Sequence, residues 1–113
     1  MKLILPLPKK ISTNTIYAGK HWRVRAGHKA QFLADTTEWT NLAPVIEYPV
    51  EITYIFRFKG NLLDTTNVSY MAKILEDCLV AYGVIKNDST EYVNATHLYS
   101  EKGERDEVEM YIV

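Results

Sequence analysis

Apolar and polar positions change rhythm along the chain, and each rhythm predicts an element. In VEITYIFRFKG, Val50, Ile52, Tyr54, Phe56 and Phe58 alternate with Glu51, Thr53, Ile55, Arg57 and Lys59. That period of two belongs to a strand with one face in a core. Further on, Val68, Met71, Leu75, Leu79 and Tyr82 recur at steps of three and four, and Ile74 and Cys78 widen the stripe. The spacing predicts an amphipathic helix over residues 67–82. Thr66 or Asn67 can cap its start, and Gly83 stands where a left-handed C-terminal residue is wanted. EYVNATHLYS and DEVEMYIV read as two strands, and the polar EKGER between them predicts an antiparallel hairpin.

The amino-terminal part is less regular. Residues 1–6 read as a strand that ends where Pro6 and Pro8 remove backbone donors. The segment KKISTNTIYAGKHWRVRAGHK mixes turn formers with bases and aromatics and shows no sustained period until about His28. From there HKAQFLADTTEWTNLA predicts a second helix, with Phe32, Leu33, Thr36 and Trp39 on one side and Pro44 at its end. The order is strand, loop, helix, strand, helix, strand, strand. Without a repeated βαβ rhythm it predicts an α+β fold, a small mixed or antiparallel sheet of about four strands packed with two helices.

Length and composition bound this picture. At 113 residues and 47% apolar the chain makes one domain, residues 1–113, with a core of its own. Cys78 is the single cysteine, so no internal disulfide is available and a reducing cytoplasm is expected. LILPLP is too short for a membrane span or a signal peptide. The net charge is only −1, but it is divided unevenly: residues 1–34 carry seven Lys or Arg and no acid, residues 35–113 six against fourteen acids. A basic segment on a near-neutral chain is either a solvated loop or the local footprint of a polyanion partner. Tyr17 and Trp22, interleaved with Lys20, Arg23 and Arg25, suit stacking on exposed bases.

Two acids bracket the helix over residues 67–82: Asp64 before it and Asp88 beyond it. That helix rises about 23 Å at roughly 1.5 Å per residue, and the extended chain from Gly83 to Asp88 travels back about 17 Å. The two carboxylates are therefore within reach of one another. A carboxylate pair can hold Mg²⁺, which takes one or two carboxylates with water and substrate phosphate, and the ion can activate water against a phosphodiester. The plainer alternative makes Asp64 a helix-dipole acid and Asp88 a turn former. Lys73 and Asp77, one turn apart, are either an ion pair or a charge aimed at phosphate and the acid that orients it. His21, His28 and His97 make no ligand motif.

Taken together, KISTNTIY, DTTN and KILEDCLVAYGVIKND resemble the RusA-type Holliday junction resolvases, a family of small dimeric Mg²⁺-dependent endonucleases, over nearly the whole chain. The resemblance implies a RusA-like fold and a homodimer, with four-way junctions or other branched DNA as partner and Mg²⁺, or Mn²⁺ in its place, as cofactor. It implies catalytic roles for Asp64, Lys73 and Asp88, with Asp64 and Asp88 on the metal and Asn67 and Asp77 in support. Lys9, Lys10, Asn14, Lys20, Arg23, Arg25 and Lys29 would contact DNA. Thr66 stands where the family has a second catalytic Asp, and Asn87 where it has the first of an Asp pair. Thr66 removes one formal negative charge from the site. Two further readings therefore stand beside the Holliday junction nuclease of recombination and repair. One is a weakened or inactive RusA-like protein that binds branched DNA without cutting it. The other is an α/β protein-interaction domain.

Overall fold

The computed structural model describes residues 1–8, 10, 22–36 and 42–113. Its elements are β1 (Lys2–Pro6), α1 (Trp22–Asp35), β2 (Val50–Phe58), a 3-10 turn (Thr65–Val68), α2 (Ser69–Ala81), β3 (Val93–Lys102) and β4 (Glu107–Ile112). They make a small α+β fold of a four-stranded mixed sheet and two helices. The alternation in β2 survives as burial: Ile52, Tyr54, Phe56 and Phe58 have no accessible surface. Met71, Leu75, Cys78 and Leu79 of α2 are equally closed off, and Phe32 of α1 joins the same core. Each such side chain contributes roughly 1.5–3 kcal/mol by leaving water, so burial of these faces of β2 and α2 in one core stabilises the fold. Burial also pushes the Cys78 thiol up to about 11, which leaves it a core residue without thiolate reactivity.

The structure corrects the expected hairpin. The sheet order is β1-β4-β2-β3, so the last two strands flank β2 instead of pairing with each other. β3 runs parallel to β2, with Tyr54 opposite Leu98, and β4 runs antiparallel to β2 on its other side, with Tyr54 opposite Met110. β1 closes the far edge against β4. The physical reason is that β2 has the most apolar inner face and is paired along both edges. Residues 103–106 then cross its end: the Gly103 amide donates to the Phe58 carbonyl at 3.0 Å, and the Lys59 amide donates to Asp106 Oδ1 at 2.9 Å. A Cβ on Gly103 would lie 2.8 Å from Cβ of Arg57, so the crossing requires a residue without a side chain.

Helix boundaries also differ from expectation. α1 begins at Trp22, before its apolar rhythm, because its first turns need little burial: Arg23 and Val24 are exposed. It ends at Asp35, where the Thr36 amide and hydroxyl both donate to the Phe32 carbonyl. Trp39 lies outside the described residues. The 3-10 turn runs straight into α2, so neither Thr66 nor Asn67 is the cap residue; Asp64 is, and its side chain makes no capping bond. The C-terminal expectation holds. Gly83 has φ +72°, its amide donates to Val80 at 3.0 Å, and the Val84 amide donates to Leu79 at 2.8 Å, the paired bonds of a Schellman ending.

Gly103→Ala is expected to lower stability by about 1–3 kcal/mol through overpacking against Arg57. Gly60→Ala, where a Cβ meets open space, is expected to stay within about 0.5 kcal/mol. Urea denaturation midpoints of the two variants measure the contrast.

Candidate functional site

Five hydrogen bonds to backbone carbonyls fix the chain at Asp64 and on either side of it. Beyond β2, Lys102 Nζ donates to the Gly60 carbonyl at 2.5 Å, Lys10 Nζ to the Asn61 carbonyl at 2.6 Å, and the Ser100 hydroxyl to the Leu63 carbonyl at 2.6 Å. Asp64 follows, exposed, with its carbonyl accepting from the Asn67 amide at 2.8 Å. Ser69 then donates to the Thr66 carbonyl at 2.8 Å. Ser100 and Lys102 were not legible as site-supporting residues, since nothing in a strand sequence says which loop crosses its edge.

Asp88 is carried back along α2. After the Gly83 ending, Val84 and Ile85 insert into the core, and the Val45 amide holds the Val84 carbonyl at 2.8 Å. The Tyr48 hydroxyl accepts from the Lys86 amide at 3.1 Å. Asn87 then turns the chain, its side-chain oxygen accepting from the Ser89 amide at 3.0 Å. The result is that Asp88 Oδ2 meets Lys73 Nζ at 2.5 Å. Lys73 lies eight residues before the end of α2, about 12 Å back along it.

Lys73 is the centre of the cluster. Its ammonium also lies 3.1 Å from Asp77 Oδ1, and Lys29 Nζ of α1 approaches Asp77 Oδ2 at 3.9 Å. Burial works against the Lys73 charge, but the bonds from Asp88 and Asp77 outweigh it and hold the amine above its usual value. In return, Lys73 holds the Asp88 carboxyl below the ordinary carboxylate range. Glu76 stands beside this group, a residue that sequence reasoning passed over. Its carboxyl is pushed up by burial, and the Tyr54 and Thr96 hydroxyls lie 3.5 Å from Oε1. The available signal was its place three residues after Lys73; its half-burial depended on β3.

Of the expected site residues, the fold brings together Lys73, Asp77 and Asp88, with Lys29 at the edge. Asp64 stands at the other end of the 3-10 turn, and no side-chain hydrogen bond or ion pair links it to this cluster among the described residues. Thr66 is exposed and Asn67 half-buried. Arg23, Arg25 and Lys29 lie on α1, and Lys10 sits over the Phe58 ring at 4.9 Å. Lys9, Asn14 and Lys20, with Tyr17 and His21, lie outside the described residues. Among the described residues no three His, Cys, Asp or Glu side chains converge as a metal site, and no helix is long and apolar enough to cross a membrane. The Asp77 and Asp88 carboxylates are oxygen donors of the kind a hard cation takes, and both address one positive centre, the Lys73 ammonium.

A second charge cluster lies on the outer face of the sheet. Arg57 meets Glu101 at 2.9 Å, Glu107 at 3.2 Å and Glu109 at 2.6 Å, and Lys2 reaches Glu109 at 2.9 Å. The Tyr111 hydroxyl, Lys2 and Arg57 hold Glu109 down at about 2. These partners cross-link neighbouring strands and satisfy one another, which assigns the group to stability. No protein-family model matches the chain, and comparison with curated proteins gives no match.

The Lys73–Asp88 pair sets a pH dependence. A depressed folded pKa means the pair's stability is present above the unfolded carboxylate value, about 3.9 for Asp. It is lost as pH falls through the folded pKa. Lys73→Met is expected to move the Asp88 carboxyl resonance to titrate at higher pH and to flatten the acid limb of the stability curve. An Asp88 titration identical in both proteins would contradict the pairing.

Proposed function

We propose that the chain is a RusA-like, Mg²⁺-dependent endodeoxyribonuclease that acts on Holliday junctions or other branched DNA as a homodimer. The observation that supports this reading best is the return of Asp88 onto Lys73. It sets an acid from beyond α2 and a lysine from within it on one surface, with Asp77 holding the same ammonium from the other side. Asp64 and Asp88 would hold the ion, and Mn²⁺ could replace Mg²⁺. Bound there, the metal supplies Lewis acidity and an activated water for phosphodiester hydrolysis. Lys73 offers a fixed positive charge, kept protonated by its two carboxylates, to the phosphate as charge develops on it. Asp77 orients that charge. The bases of α1 lie beside this surface and would meet backbone phosphates, which gives an affinity that falls steeply with salt. Two copies related by a twofold axis would address opposed strands of a four-way junction.

A second reading, a branched-DNA-binding protein that does not cut, is favoured by Thr66. A neutral, exposed hydroxyl stands at that corner, and the site is one acid short of the RusA pattern.

The two are separated by incubating a labelled four-way junction with the protein and Mg²⁺ or Mn²⁺. The nuclease reading expects cleavage by the unaltered chain. It also expects Asp64→Asn to abolish cleavage, a loss of at least about 10²-fold, with junction binding retained. Cleavage that appears only in Thr66→Asp establishes the binder instead. Full cleavage by Asp64→Asn would remove Asp64 from the metal site.

A further inference from the structure

Between α1 and α2 lies a slot of about 220 Å³ whose walls carry Arg25 and Lys29 from α1, and Tyr70, Lys73 and Asp77 from α2. The spacing within each helix explains the slot. Arg25 and Lys29 are four residues apart, and Tyr70, Lys73 and Asp77 recur at three and four, so each set forms one ridge facing the other helix. Arg25, Lys29 and Lys73 line it with the Asp77 carboxylate, and Asp88 holds Lys73 from outside the slot. Tyr70 is buried and tied down, its hydroxyl 2.7 Å from Nδ1 of His28 on α1, so that wall is rigid.

Asp77 has an unusual place in this slot. Its two oxygens address two different ammonium groups, Oδ1 to Lys73 at 3.1 Å and Oδ2 to Lys29 at 3.9 Å. The two non-bridging oxygens of a phosphodiester present the same geometry of charge to a pair of cations. We propose that the slot between α1 and α2 binds a backbone phosphate of the nucleic-acid strand, and that Asp77 is a built-in competitor that occupies the phosphate's place until the strand arrives. This inference rests on the nucleic-acid reading above and deepens it. Because Lys73 belongs both to the slot and to the Asp88 pair, a phosphate seated here is a near neighbour of the Asp88 corner. Lys29, 43% exposed and held only at long range, is free to turn from Asp77 to the incoming oxygen. Asp77 then limits affinity: it repels the phosphate and satisfies the cations that would bind it.

The test measures binding without chemistry. A fluorescent four-way junction is titrated in EDTA across a salt series with the wild-type protein, Lys29→Gln and Asp77→Asn, and thermal melting checks the fold of each. Lys29→Gln is expected to bind more weakly and to reduce the slope of log affinity against log salt by about 0.9, one phosphate contact. Asp77→Asn is expected to bind several-fold more tightly, with a steeper slope. Wild-type binding with Lys29→Gln unchanged, or with folded Asp77→Asn no tighter, overturns the slot while leaving the nuclease reading in place. If the wild-type protein binds no DNA even at low salt, the nucleic-acid reading itself falls.

Discussion

Burial of the apolar face of β2 is the constraint from which the rest of the structure follows. Four side chains without accessible surface point from one strand into one layer, and a strand so desolvated is best placed with backbone partners on both edges. The chain meets this by running β3 parallel along one edge and β4 antiparallel along the other. Parallel pairing of β2 and β3 requires a crossover, and α2 is that crossover. The position of Lys73 is therefore set by the sheet, because the helix that carries it is the cover over β2.

The two charge clusters divide along the same sheet. On the outer face, positions that alternate with the core residues bring Arg57 against three glutamates and Lys2 against one of them. These groups come from four strands and close on themselves, which suits a face that no described helix covers. On the helix side, the charges come from two helices and one loop. A slot lined by Arg25, Lys29 and Lys73 remains between the helices. One cluster is a set of cross-strand ties; the other is a surface with room for a ligand.

The acid bracket shows how local and distant determinants combine. Gly83 ends α2 with the bonds its position foretells, and that turn points the chain back along the helix. How far it returns is decided by Val84 and Ile85, which enter the core and fix Asp88 opposite Lys73. At the other end, Asp64 depends on a loop tied by Lys10, Ser100 and Lys102, residues distant in sequence from it.

The sequence by itself determined the α+β class, the buried face of β2, the apolar stripe of α2, its Gly83 ending, and the possibility that Lys73 and Asp77 pair. Each follows from neighbours within a few residues, where side-chain periodicity and backbone preference act directly. The tertiary structure alone decided that the last two strands straddle β2, that Gly103 must pass over Arg57, that α1 starts at Trp22, and that Glu76 and Lys29 join the Lys73 cluster. Those outcomes depend on which surfaces compete for the same partner. EKGER can close a hairpin or bridge a strand equally well, and only the demand of β2 for pairing on both edges distinguishes the two.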